Sequence, residues 1–154
     1  MKNIVTILLF FFFYNINIGY SSNGLLNDIS NLKFDAVEKK LVIDDSFPNF
    51  LLKNINYWFD NKIKVNGIDG KLIFKISSYS EKISQIDNGK KVDITFNFEY
   101  LMQKSKHTKN TYKAEINSYG TMSGDFSLND FDKIIETTQL DLIFRLSDNL
   151  KLSN

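Results

Sequence analysis

Val92–Met102 reads VDITFNFEYLM, and through Tyr100 its residues alternate: Val92, Ile94, Phe96, Phe98 and Tyr100 on one side, Asp93, Thr95, Asn97 and Glu99 on the other. A period of two is that of a β-strand, whose successive side chains point to opposite faces. One face is oily and the other wet, which is the habit of an antiparallel sheet with one side in solvent. The neighbouring stretches repeat the pattern. Leu72, Phe74 and Ile76 alternate with Lys71, Lys75 and Ser77, with Ile73 as an exception on the polar side. Tyr112, Ala114 and Ile116 alternate with Lys113, Glu115 and Asn117. Asp87-Asn88-Gly89 marks the first connection and Gln103–Lys109 the second, so three strands form a meander.

Outward from the meander the period changes. In DDSFPNFLLKNINYWFDNKIKVNG (44–67), Leu51, Ile55, Phe59 and Ile63 recur every four residues, with Leu52 and Trp58 beside them. That is an amphipathic helix. Asp45 or Ser46 is the expected N-cap, Pro48 suits the first turn, and Asn66-Gly67 is the expected stop. Upstream, Lys33–Asp44 alternates with a slip around Val37–Lys40, which predicts a bulged strand or two short ones. Downstream, Gly120 and Gly124 are read as flanking a flexible link. A second helix then starts at Ser127, with Asp130 completing a capping-box pattern, and carries Leu128, Phe131, Ile135, Leu142 and Leu146. The expected fold class is α+β: a two-layer sandwich in the order β-α-β-β-β-α. A mainly antiparallel sheet of about four strands carries two amphipathic helices on one face.

The N-terminus sets the compartment. Lys2 precedes an apolar run from Ile4 to Tyr14, broken only by Thr6. That core is about half of the roughly 20 residues a membrane span needs, and it matches a secretory leader. Gly19-Tyr20-Ser21 offers a small-residue exit, so residues 1–21 are expected to be a signal peptide, 22–33 a lead-in, and 34–152 a single domain. An uncleaved anchor, lengthened by Ile16, Ile18 and Tyr20, is the alternative. A lipoprotein leader needs a cysteine to carry the lipid, and the 154-residue chain has none. The same absence excludes thiolate nucleophiles, zinc–cysteine sites and disulfides. Removing the leader removes Lys2 and no acid, so the formal charge falls from +1 to zero. A neutral domain has no global attraction for nucleic acid.

Candidate chemistry is sparse. The only histidine, His107, lies in the polar loop QKSKHTK without a nucleophile signature nearby. Asp93 and Glu99 are six positions apart, about 20 Å at strand rise, too far for paired acid–base work on a sugar. Glu115 can approach either, but Asp93, Glu99 and Glu115 alternate with Lys71, Lys75 and Lys113, which reads as cross-strand charge pairing. Asp125, Asn129, Asp130 and Asp132 lack the register of a calcium loop. Gly67-Ile68-Asp69-Gly70 follows a helix and precedes a strand, the reverse of a phosphate-binding turn. Lys90 and Lys91 fall at one hairpin end and Lys104, Lys106 and Lys109 at the other, so they form no continuous basic groove. Tyr119 and Trp58 suit either a stacked ligand or the core. No catalytic, cofactor-binding or metal-binding residue is assigned.

Pro48 before a helix carrying Trp58, Gly67-x-x-Gly70-x-Leu72-x-Phe74-x-Ile76, the strands that follow and a late helix opening Ser127-Leu128 together span about residues 34–150. This arrangement resembles a group of small exported alphaproteobacterial proteins of unknown function. Its layout is similar to the helix-backed sheets of outer-membrane lipopolysaccharide-assembly lipoproteins and of transport-auxiliary lipoproteins. The chain lacks their lipid-bearing cysteine, so no outer-membrane anchor and no lipopolysaccharide-binding residue carries over. The implied function is a non-enzymatic, periplasmic or secreted binding or accessory protein. It would engage an envelope protein or lipid-linked partner through the sheet face, edge or loops. The alternatives are a secreted enzyme using His107 and loop carboxylates, and a scaffold tethered to the inner membrane by an uncleaved leader.

Overall fold

A computed structural model describes residues 22–104 and 109–153. The expected signal peptide and His107 lie outside the described residues. The elements run α1 (Ser22–Leu26), β1 (Leu32–Phe34), β2 (Glu38–Ile43), α2 (Asn49–Lys62), β3 (Ile63–Val65), β4 (Lys71–Ile86), β5 (Gly89–Gln103), β6 (Lys109–Ser123) and α3 (Leu128–Ser153). The main sheet has the order β2-β4-β5-β6, and β1 and β3 make a separate two-stranded sheet.

The α+β class stands, with corrections to the layout. The sheet is mixed: β4, β5 and β6 form an antiparallel meander, but β2 joins β4 in parallel, Glu38 opposite Lys71 through Ile43 opposite Ile76. The reason is α2, which carries the chain back to the end where β2 began, so β4 sets out in the same direction. The slip around Val37–Lys40 is a break between two strands, β1 and β2. A third, single-turn helix, α1, forms in the lead-in, where Leu26 and Ile29 are buried.

Both ends of α2 differ from expectation. Pro48 itself is the N-cap, in extended conformation and without a side-chain cap bond. The helix stops at Lys62 rather than at Asn66-Gly67, because Ile63–Val65 pairs in parallel with Leu32–Phe34. Gly67 serves a different purpose: its N–H donates to the Ala36 carbonyl at 2.9 Å, and a Cβ there would lie 2.6 Å from the Ala36 nitrogen.

Gly120 is likewise inside β6, not in a link. It lies beneath α3, where a Cβ would come within 2.5 Å of Thr138 Oγ1 and 2.8 Å of Ile134 Cγ2. The missing side chain lets the helix settle close to the sheet. α3 begins with the expected reciprocal cap: Ser127 N–H donates to Asp130 Oδ2 at 3.1 Å, and Asp130 N–H donates to Ser127 Oγ at 3.2 Å. Leu128, however, is 84% exposed, and the buried face of α3 is its later part, including Leu142, Ile143, Leu146 and Leu150.

The core is aromatic. The Phe74 ring is surrounded by those of Phe98 at 5.1 Å, Phe59 at 5.5 Å, Phe34 at 5.6 Å and Trp58 and Tyr100 at 6.0 Å. Leu51, Ile55, Phe59 and Ile63 are buried as their spacing predicts. Trp58 is fully buried and its Nε1–H donates to Ser147 Oγ at 2.8 Å, joining α2 to α3. Large rings in edge-on contact, with no disulfide available, supply the burial that holds the domain together.

Candidate binding surface on the open sheet face

Because α2 and α3 occupy one side of the meander, the alternation seen in Val92–Met102 sends its polar residues to the opposite face, which none of the described elements covers. The register assembles them in rows. Lys75, Glu99 and Lys113 lie side by side across β4, β5 and β6, and Ser77, Asn97 and Glu115 form the next row. Lys113 Nζ stands 3.4 Å from Glu99 Oε1. These six side chains line a shallow depression of about 430 Å³ in the middle of the face. Asn97, Lys75, Lys113 and Glu115 are exposed there.

The acids of the wet face are thereby sorted. Glu99 and Glu115 share the depression, each with a lysine within its row or the adjoining one. Asp93 lies further along β5 and pairs with Lys91 at 2.5 Å. Lys71 pairs across the parallel edge with Glu38 at 3.0 Å rather than with a meander acid. The depression offers alternating ammonium and carboxylate groups flanked by a hydroxyl and a carboxamide. Such a surface can hydrogen-bond and ion-pair with a partner of mixed charge.

Other candidate residues have structural employment. Asp130 is held by Ser127, whose hydroxyl and amide hydrogen bonds keep its carboxyl below the usual range. Trp58 belongs to the core, whereas Tyr119 is 63% exposed on the polar face with Lys91 Nζ 5.1 Å above its ring. Lys90 turns to the helix side and lies over Phe126 and Phe131. Lys104 pairs with Asp35. Lys90 and Lys91 sit at the opposite end of the β5–β6 ladder from Lys104 and Lys109, about 45 Å away at strand rise, and Lys106 lies outside the described residues.

Sequence reasoning missed Lys39. It falls in phase with Leu41 and Ile43, toward the helices, and donates to the carbonyls of Phe59 at 2.7 Å, Ile63 at 2.7 Å and Asp60 at 3.2 Å. These are carbonyls at the C-terminal end of α2, which need donors. Burial lowers the Lys39 pKa, with Asp60 opposing and Lys64 adding to the effect. A lysine in the apolar phase of an alternating strand was the available signal.

This fold belongs to the class of helix-backed sheets with one face left open. Neither a family model nor a curated protein sequence matches the chain. Among solved structures it is similar to a minor lipoprotein from Acinetobacter baumannii, with a TM-score of 0.53 and 9% identity over 75% of this chain and 91% of that one. It is also similar to an uncharacterized lipoprotein B from Nitrosomonas europaea, with a TM-score of 0.51 and 6% identity over 75% of this chain and 82% of that one. At such identities the likeness shows a shared fold.

Proposed function

We propose that the chain is a non-enzymatic binding or accessory protein of the bacterial envelope, exported through residues 1–21 and working in the periplasm or outside the cell. It engages a protein or lipid-linked partner through the open face of the sheet. The observation that carries this reading is the one-sided helix cover, which leaves the Lys75–Glu99–Lys113 and Ser77–Asn97–Glu115 rows presented to solvent. The depression is broad and shallow, suited to a surface contact. The leader pattern and the fold shared with two bacterial lipoproteins support the envelope setting. None of the described helices is long and apolar enough to cross a membrane.

The test is photo-crosslinking in cells from a probe at Asn97, combined with the charge-reversed pair Lys75→Glu and Lys113→Glu. A discrete adduct from Asn97 that the charge-reversed protein loses is expected. A probe that yields no adduct, or one indifferent to charge reversal, contradicts the reading. Mass measurement of the exported chain checks the leader: cleavage after Ser21 is expected, and an intact N-terminus favours the tethered form.

A further inference from the structure

β4 is far longer than the strand that covers its outer side. β2 pairs with it only from Lys71 to Ile76, and β4 then continues to Ile86 with β5 as its one strand neighbour among the described residues. The helix layer does not shield this run either: Glu81, Ile83 and Gln85, which share a face with the buried Ile94 and Val92, are all exposed, Ile83 by 48%. An edge strand presents unpaired N–H and C=O groups that accept another strand. The opposite edge differs. Along β6, α3 lies beside the strand: Ser118 Oγ donates to Asp141 Oδ2 at 2.6 Å, and Arg145, Asp148 and Asn149 line a depression with Glu115 and Asn117.

We propose that the outer edge of β4, Ser80–Ile86, pairs antiparallel with the same run of a second copy about a two-fold axis at Ile83. The register follows from charge. In a symmetric antiparallel pair, residues on the same face stand opposite one another. Centring the axis on Glu81 or on Lys82 sets like charges directly opposite, and centring it on Ser84 sets Glu81 opposite Asp87 in both halves. Centring it further back runs into the bulge between Ser77 and Ser80, where Ser78 has φ of 59°. Centring it further forward runs into the Asp87-Asn88 turn. Only Ile83 opposite Ile83 keeps the ladder free of like-charge pairs: Lys82 meets Ser84, Glu81 meets Gln85, and Ser80 meets Ile86. Each Lys82 also has Asp93 of its own chain directly opposite on β5, which offsets the approach of the two lysines. The pairing joins two four-stranded sheets into one and covers the exposed Ile83 side chains. It is independent of the role proposed for the open face. One strand pair buries less than the roughly 1,200–2,000 Å² of a stable interface, so the dimer is reversible.

Sedimentation equilibrium of the protein purified from the envelope, at concentrations up to about 1 mM, tests it. A monomer–dimer equilibrium is expected, weakened at least about tenfold by Ile83→Lys, which sets like charges opposite at the axis. Because the chain has no cysteine, single-cysteine variants read the register directly. Under copper–phenanthroline oxidation Ile83→Cys should link to itself far faster than Ile68→Cys, a fully exposed control at the other end of the molecule. Glu81→Cys should link to Gln85→Cys more than to itself. A chain that stays monomeric throughout, or an Ile83→Cys variant that links no faster than the control, overturns the proposal.

Discussion

Lys39 and Gly120 show how single residues set the contacts between layers. The Lys39 ammonium ties the end of α2 to β2 through three carbonyls. Lys39→Ala is therefore expected to cost about 1.5–3 kcal/mol, the range for hydrogen bonds to a charged group, read as a lower urea midpoint with unchanged slope. Gly120 makes room for Thr138 and Ile134. Gly120→Val should cost about 1–3 kcal/mol by overpacking, measured the same way. Asp130 titrates from a lowered pKa because Ser127 donates to its ionised form. The folded state thus favours the carboxylate; its contribution is present above the normal value of 3.8 and is lost as pH falls through the folded value. NMR titration should find Asp130 below 3.8 in the native protein, and Ser127→Ala should return it toward that value.

The elements were legible in the sequence to the degree that periodicity governs them. VDITFNFEYLM, the Leu51–Ile55–Phe59–Ile63 stripe and the Ser127–Asp130 cap all folded as their spacing predicts. What was not legible depends on contacts between distant segments. Nothing local reveals that Ile63–Val65 leaves the helix to pair with Leu32–Phe34, since Ile63 continues the helical stripe and is buried either way. Gly120 looks like a loop glycine until α3 is placed over it. Lys39 breaks the apolar phase of its strand, but the carbonyls it serves are known only once the end of α2 arrives beside it. At the candidate site, the alternation identified which residues face solvent, but the grouping of Glu99 with Glu115 and the separation of Asp93 needed the strand register. The contact between α2 and α3 makes a prediction at this scale. Ser147→Val removes the acceptor of the buried Trp58 N–H. It should cost about 1–3 kcal/mol for the orphaned donor, seen as a lower thermal midpoint.

For the whole molecule, the distribution of polarity separates the residues that hold the fold from those that face solvent. The aromatic cluster around Phe74 sits between helices and sheet, so Phe74→Ala should cost about 3–5 kcal/mol without touching the open face. The open face does the reverse: its exposed side chains bear little of the fold and are available to a partner. The most direct measurement is the thiol-labelling rate of Asn97→Cys, compared between the purified protein and intact envelope, with Asp132→Cys on the exposed side of α3 as reference. The account predicts rapid labelling of both positions in the purified protein and at least about tenfold protection of Asn97→Cys alone in the envelope. Equal rates for Asn97→Cys in the two settings, or protection already present in the purified protein, would contradict it.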